Sequence, residues 1–287
     1  MANAKKTSRT KKVGGRNKNS ARRPSSTRHK ERVMPRWQYI TTAALITTAV
    51  LALAYIPILR PAFNRFIPCN GQKLYGACIP KGYSVYGIDI SHHQGEINWE
   101  RLKNGNPGEP AISFVYIKAT EGNSHNDTRF KKNWQNAKEY GFIRGAYHYF
   151  GTKSSGEEQA RLFIKNVKLE QGDLPPMVDV EDEPKVHATY REELKKFISI
   201  LEEHYKIKPI IYTYKKFHER HINNALFNGY PLWIARYNST QPGIDKEWIM
   251  WQCSENGRLP GIREKVDINV FNGTAEELEK LRIKNKQ

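Results

Sequence analysis

The feature that most constrains the fold is a regular series of short apolar runs, rich in Val, Ile and Tyr. Eight such runs are present, at residues 83–90, 112–119, 143–150, 176–181, 208–214, 230–237, 247–253 and 265–271. Patterns typical of helices separate the first five runs, and a last helical pattern covers 274–284. Alternating strands and helices favour parallel pairing. The sequence therefore predicts an α/β fold: a closed barrel of eight strands and about five helices that has lost the last helices of the eightfold β/α barrel.

An open, doubly wound sheet is the alternative architecture. A nucleotide-binding version of that fold carries a Gly-rich phosphate loop after its first strand. No such loop follows the run at 83–90, which favours the barrel.

The positive charge is concentrated at the N-terminus. The chain has a net charge of +18, and residues 1–36 hold 13 Lys or Arg and a single acid, Glu31. This segment is too poor in large apolar residues to form a core, and we interpret it as a disordered tail. Its charge says little about what the folded part binds.

An uncharged stretch of 23 residues, 37–59, follows the tail. A membrane-spanning helix needs about 20 mostly apolar residues, and Trp37, Tyr39 and Tyr55 lie near the ends, as interfacial aromatics do. A buried helix or a cleaved signal peptide is the alternative, but no clear small-residue cleavage site is present. We predict a single-pass anchor that contacts membrane lipid, with 1–36 in the cytoplasm and the rest periplasmic or extracytoplasmic. Nucleic-acid binding is not expected.

Residues 60–81 are expected to form a linker, and 82–287 the barrel domain. The chain has three cysteines, Cys69, Cys78 and Cys253. Turn residues lie between the first two, so a Cys69–Cys78 disulfide is expected, although other pairings remain open.

Acidic residues lie where chemistry occurs in a β/α barrel, at the carboxyl ends of the strands. Asp89 ends the first run, Asp179 and Glu181 end the fourth, and Asp267 lies in the eighth. Side chains two apart share one face of a strand, so Asp179 and Glu181 should face the lumen, while Asp182 and Glu183 should be solvated. Two such carboxylates repel each other, so one pKa should rise and the other stay low. Paired carboxylates of this kind serve glycoside cleavage.

Aromatic and cationic side chains at the same strand ends are candidates for substrate binding. Tyr147, Tyr212 and Trp233 could form platforms for sugar rings, although each could equally be a core residue. Lys118 could keep one of the acids ionised or bind an acidic group of the substrate.

Several ordered motifs resemble glycoside hydrolase family 25, the Chalaropsis-type lysozymes. They are GIDISHHQG, FVYIKATEG, GAYHYF, MVDVED, IIYT, PLWIARY, MWQC and VDINVFNG, and they span residues 83–273. The resemblance implies a flattened β/α barrel and N-acetylmuramidase activity on peptidoglycan glycan strands, without a cofactor. It implies that Glu181 is the general acid, that Asp179 and Asp89 are supporting carboxylates, and that Asp267 orients the site. It also implies that Tyr147 lies at the sugar site.

Two other functions are compatible with the residues. Asp89, His92 and His93, or His218 and His221, could be read as ligands of a metal-dependent hydrolase or deacetylase. An inactive peptidoglycan-binding module is the second alternative. The catalytic domain is expected to be monomeric and to hold no metal.

Overall fold

The computed structural model describes residues 35–54 and 69–284, and these two parts are considered separately. The first contains one helix, α1 (Arg36–Ala54), in which threonine hydroxyls donate to carbonyl groups one turn earlier. None of the described helices is long and apolar enough to cross a membrane. The predicted span over 37–59 includes residues 55–59, which lie outside the described residues.

The second part is built around a sheet of nine strands, eight of which close into a barrel through the pairing of β3 with β4. A separate hairpin of two strands precedes it. The strands are β1 (Gln72–Leu74), β2 (Ala77–Ile79), β3 (Tyr86–Ile90), β4 (Ile112–Glu121), β5 (His125–Asn126), β6 (Ile143–Tyr149), β7 (Met177–Asp179), β8 (Ile210–Tyr214), β9 (Leu232–Ala235), β10 (Met250–Gly257) and β11 (Val266–Phe271). Each of the eight apolar runs supplies one barrel strand, as the sequence predicts.

The strand β11 is an exception to the expected parallel pairing. It runs antiparallel to both β10 and β3, whereas β3, β4, β6, β7, β8, β9 and β10 pair in parallel. The connection from β10 to β11 is too short for a crossover helix, which a parallel return needs. As a result the first residues of β11, including Asp267, lie at the edge where the parallel strands end.

Helices cover the outside of the barrel. They are α2 (Trp99–Asn104), α3 (Phe130–Glu139), α4 (Gly156–Asn166), α5 (His187–Tyr205), α6 (Lys215–Phe217), which continues as a π-helical turn (His218–Ile222), and α7 (Ala275–Leu281). Ser155 caps α4 in a capping box with Glu158. Thr189, which has Glu192 three residues later, is not a cap, because α5 already begins at His187 and Thr189 lies inside it.

Side chains point alternately to the outside and to the lumen along each strand, and so they form two separate apolar cores. Val178 and Val180 point outward and join the larger cluster under the helices, whereas an inner cluster fills the lumen. Two glycines of the lumen make room for its aromatic rings. A Cβ on Gly87 would lie 2.2 Å from the ring of Phe114, and one on Gly145 would lie 2.3 Å from the ring of Tyr116. Because aromatic rings fill the lumen, the site has to lie at its mouth.

The residues after 69 are part of the folded unit, although 60–81 was expected to be a linker. Cys69 and Cys78 form a disulfide with Cα atoms 5.5 Å apart, and Cys253 is a buried free thiol. Tyr75 and Ile79 are fully buried against the barrel. The Tyr75 hydroxyl donates to the carbonyl of Pro110 over 2.9 Å.

Candidate active site

A pocket of about 320 Å³ opens at the carboxyl ends of the parallel strands. It brings together the four acids and three of the four substrate-binding candidates that the sequence points to: Asp89, Asp179, Glu181, Asp267, Lys118, Tyr147 and Tyr212. The mouth of the barrel is therefore an acidic pocket with aromatic walls.

The position of Asp179 follows from the pairing of β7 with its neighbours. The carbonyl of Asp179 accepts from the amide of Phe150, and the amide of Val180 donates to the carbonyl of Tyr212, both over 2.9 Å. These bonds fix the strand end so that the Asp179 carboxyl faces the pocket. It is 9 % exposed, and its Oδ1 accepts no hydrogen bond from any described residue. The site thus presents a buried acceptor oxygen without a donor.

Both carboxyls of the pair have elevated pKa values. Burial raises the pKa of Asp179 well above its usual range, and the neighbouring Glu181 carboxylate raises it further. Burial also raises the pKa of Glu181, assisted by the negative charges of Asp182 and Asp89. The expectation that one of the two pKa values stays low is wrong, because Asp179 is desolvated and lacks a donor in the free protein.

Asp89 is held in a network of amide donors. Its Oδ2 accepts from Asn269 Nδ2 over 2.8 Å and from Gln252 Nε2 over 2.9 Å. Burial raises the pKa of Asp89, and these two hydrogen bonds oppose the rise. Asp267 lies opposite Asp89 in the antiparallel register. Burial and the Asp89 charge raise the pKa of Asp267 to about 8.

Two tyrosines orient Gln252. Its Oε1 accepts from the Tyr212 hydroxyl over 2.7 Å and from the Tyr237 hydroxyl over 2.5 Å. Because the oxygen is fixed on these donors, the amide nitrogen points to Asp89. The tyrosines therefore act on Asp89 through Gln252.

Trp233 does not line the pocket, in contrast to its predicted role as a sugar platform. It is fully buried, packs edge-on against Tyr116 and Tyr212, and donates its indole N–H to Asn269 Oδ1 over 3.1 Å. The register pairs Trp233 of β9 with Tyr212 of β8, but the Trp233 ring is covered by its neighbours. Its position allows it to orient Asn269 but not to contact a substrate.

Lys118 forms an ion pair with Glu121 at 2.6 Å, and its ammonium lies 4.9 Å from the centre of the Tyr149 ring. Burial raises the pKa values of Asp179 and Glu181, and the positive charge of Lys118 opposes this rise at both residues. Lys118 thus acts on the two acids through space, without a direct bond to either.

Of the two acids that follow the pair, Glu183 is exposed, as expected, and Asp182 is partly buried. Asp182 accepts a hydrogen bond from the Tyr149 hydroxyl over 3.0 Å. Glu183 forms an ion pair with Arg220 and a hydrogen bond with His221. The sequence missed these partners because they come from other strands and helices.

The histidines considered as metal ligands are dispersed. His92 pairs with Asp127 at 2.8 Å, and His93 lines the pocket. His218 and His221 are buried residues of the π-helical turn itself. Within residues 35–54 and 69–284, no three His, Cys, Asp or Glu side chains are arranged to hold a metal ion.

Gln252 and Asn269 are the functional candidates that sequence reasoning missed. Both are buried, at 3 % and 0 % exposure, and both lie in strongly apolar strands. A buried amide amid Met, Trp, Ile and Val is the one sequence signal that could have identified them, because an interior amide requires a partner.

A β/α barrel with converging carboxylates and tyrosines at its mouth has the arrangement of a glycoside hydrolase site. The sequence model of the family "Glycosyl hydrolases family 25" matches residues 88–262 of the chain. The chain therefore belongs to this family. The matched range ends before β11, so Asp267 and Asn269 lie outside it.

Known relatives cover most of the chain. It is 38 % identical over 244 residues to the uncharacterized protein YegX of Escherichia coli (strain K12), covering 84 % of each chain. It is 35 % identical over 210 residues to Lysozyme M1 of Streptomyces globisporus, covering 68 % of this chain and 70 % of that one. The structure of a family 25 glycosyl hydrolase from Bacillus anthracis superimposes with a TM-score of 0.63 at 32 % identity, covering 70 % of this chain and 94 % of that one.

Proposed function

We propose that this protein is a muramidase that hydrolyses the β-1,4 bond between N-acetylmuramic acid and N-acetylglucosamine in peptidoglycan. The observation that supports it best is the pair Asp179 and Glu181, two pocket carboxyls with raised pKa values. Family membership and the similarity to Lysozyme M1 favour the same reaction.

Glu181 acts as the general acid. A raised pKa keeps a carboxyl protonated near neutral pH, as the first step of glycoside cleavage requires. Glu181 lies two residues beyond Asp179, the last residue of β7, and is less buried than Asp179, so it is accessible to the glycosidic oxygen. Protonation of that oxygen lets the leaving sugar depart.

The 2-acetamido group of the substrate supplies the nucleophile. Its carbonyl oxygen attacks the anomeric carbon as the leaving oxygen takes the proton of Glu181, and a bicyclic oxazolinium intermediate forms. The unpartnered Oδ1 of Asp179 accepts the acetamido N–H, which supplies the donor that Asp179 lacks in the free protein and favours its ionised form, and the carboxylate then stabilises the positive charge of this intermediate. Water then opens the ring and gives up a proton to Glu181, so the product retains its β configuration.

Mass spectrometry of purified peptidoglycan digested by the full-length chain in mild detergent tests the reaction. We expect fragments that end in a reducing N-acetylmuramic acid. Fragments that end in reducing N-acetylglucosamine, or an undigested polymer, would contradict the proposal. The stereochemistry is tested separately by NMR during the first minutes of digestion, when an α anomer as first product would rule out retention.

We further propose that residues 37–59 anchor the enzyme in a membrane, with residues 1–36 on the cytoplasmic side. The uncharged stretch and the strongly basic segment before it support this arrangement. A protease added to intact spheroplasts should digest the barrel domain and spare an epitope placed at residue 1. Release of the whole protein by high salt would contradict an integral anchor.

A further inference from the structure

A second concavity, of about 460 Å³, adjoins the catalytic pocket and differs from it in charge. The two share His93 and Gln94 in their walls. The remaining lining residues come from the loop between β10 and β11: Arg258, Arg263, Glu264 and Lys265. We name these four residues together with the shared two the basic subsite.

The basic subsite has cations available for an anionic ligand. Arg258, Arg263 and Lys265 are exposed, and Glu264 is the single acid among the lining residues. Neither arginine side chain has an ion-pair or hydrogen-bond partner among residues 69–284, whereas the Lys265 ammonium donates to Asn256 Oδ1. The adjoining catalytic pocket has a different lining, with five carboxyls and a single lysine, Lys118. An extended substrate lying across both would pass from acidic side chains to basic ones.

The walls of the basic subsite are fixed by the fold. The amide of Arg258 donates to the carbonyl of Tyr75 over 2.6 Å, and the stem of its side chain lies against Gly76, where an added Cβ would be 3.2 Å away. Gln94 donates from Nε2 to the carbonyl of Lys265, while its Oε1 accepts from the amide of Ser91. Gln94 therefore ties the loop of the basic subsite to the wall of the catalytic pocket.

We propose that the basic subsite binds the carboxylates of the peptide attached to N-acetylmuramic acid. This inference rests on the proposed muramidase function. The glycan backbone of that substrate is uncharged, and its peptide branches carry free carboxylates. The planar guanidinium groups of Arg258 and Arg263 match carboxylates in a bidentate geometry. The enzyme thereby selects glycan that still bears its peptides.

The test compares two substrates that differ in charge alone. One is soluble glycan with intact peptides, and the other is the same material after its peptide carboxylates are converted to methylamides. For the full-length protein, kcat/KM should be about fivefold higher on the carboxylate form, since each exposed ionic contact contributes little. The double variant Arg258→Ala/Arg263→Ala should cleave both substrates at the rate of the methylamide form.

The control removes equal charge elsewhere. Lys131→Ala/Lys165→Ala changes exposed lysines on α3 and α4 and should keep the fivefold preference. Equal rates of the unaltered protein on the two substrates, or a preference that survives in the double arginine variant, would overturn the basic subsite and leave the muramidase function intact. Failure to cleave either substrate would overturn the muramidase function and the subsite with it.

Discussion

Asp89 and Asp267 lie directly opposite each other across the antiparallel pair of β3 and β11, and the negative charge of Asp89 adds to the effect of burial in raising the pKa of Asp267. Two neighbouring buried carboxyls resist ionising together, so one of them keeps a proton. Gln252 and Asn269 donate to Asp89, which favours its ionised form, whereas the pKa of Asp267 is about 8. At neutral pH we therefore assign the proton to Asp267 and the charge to Asp89.

This assignment predicts how stability depends on pH. Asp267 ionises near pH 4 in an unfolded chain, and its folded pKa is about 8. Between these values the unfolded state has lost a proton that the folded state keeps, so the contribution of Asp267 to stability falls as the pH rises and levels off above about 8. Asp267→Asn should remove that fall, which is on the order of 4 kcal/mol between pH 5 and 8.

Urea unfolding at pH 5, 6.5 and 8 measures the effect. The variant Asp245→Asn, at an exposed position outside the pocket, is the control and should follow the parent curve. If the free energy of unfolding falls as steeply with rising pH in Asp267→Asn as in the parent, Asp267 does not carry the proton.

Glu181→Gln should lower kcat roughly 10²–10⁴-fold, the usual contribution of a general acid. The fold should persist, because the substitution removes a partly buried carboxyl with a raised pKa. Initial rates on purified peptidoglycan measure the loss, and circular dichroism checks the fold. Glu183→Gln is the matched control, since Glu183 pairs with Arg220 and His221 and should leave kcat close to that of the parent. Equal rates for Glu181→Gln and the parent would show that another group protonates the leaving oxygen.

The sequence was sufficient to locate the acids because their positions follow from local periodicity. Val178 and Val180 need an apolar environment, so Asp179 has to face the other way, and the structure places it there. The direction of β11 could not be read in this way. An antiparallel strand has the same alternation as a parallel one, and Asp267 reaches the mouth only because β11 is reversed.

Depth within the barrel is the other property that the sequence does not specify. Trp233 and Tyr212 are paired neighbours on adjacent strands, yet only Tyr212 lines the pocket. Which of two lumen aromatics reaches the mouth depends on strand stagger, and that is a property of the closed barrel. The role of Gln252 could not be read from the sequence either, because its partners Asp89 and Tyr212 come from other strands of the closed barrel.

Tyr237→Phe should weaken the hydrogen bond that Gln252 donates to Asp89. Loss of its hydroxyl removes one of two donors to Gln252 Oε1, and one such bond contributes about 1 kcal/mol. A less firmly oriented Gln252 stabilises the Asp89 carboxylate less, so the pKa of Asp89 should rise further. We expect kcat to fall about fivefold and the acidic limb of its pH profile to move to higher pH. Tyr230→Phe is the control, since its hydroxyl bonds Glu202 and Lys195 away from the pocket. An unchanged pH profile for Tyr237→Phe would limit Tyr237 to a packing role.

Reduction of the Cys69–Cys78 disulfide should destabilise the barrel domain, because the segment it closes is packed into the fold. Tyr75 within this loop is buried, its hydroxyl bonds Pro110, and its carbonyl accepts from Arg258, so the loop should unfold together with the barrel. A loop with a sequence separation of 9 restricts the unfolded chain by about 2–3 kcal/mol. Urea unfolding with and without a reductant measures this difference. In Cys69→Ser/Cys78→Ser the reductant should have no further effect, which excludes a contribution from the buried thiol of Cys253. If the parent unfolds with the same free energy in both conditions, the loop opens independently of the barrel.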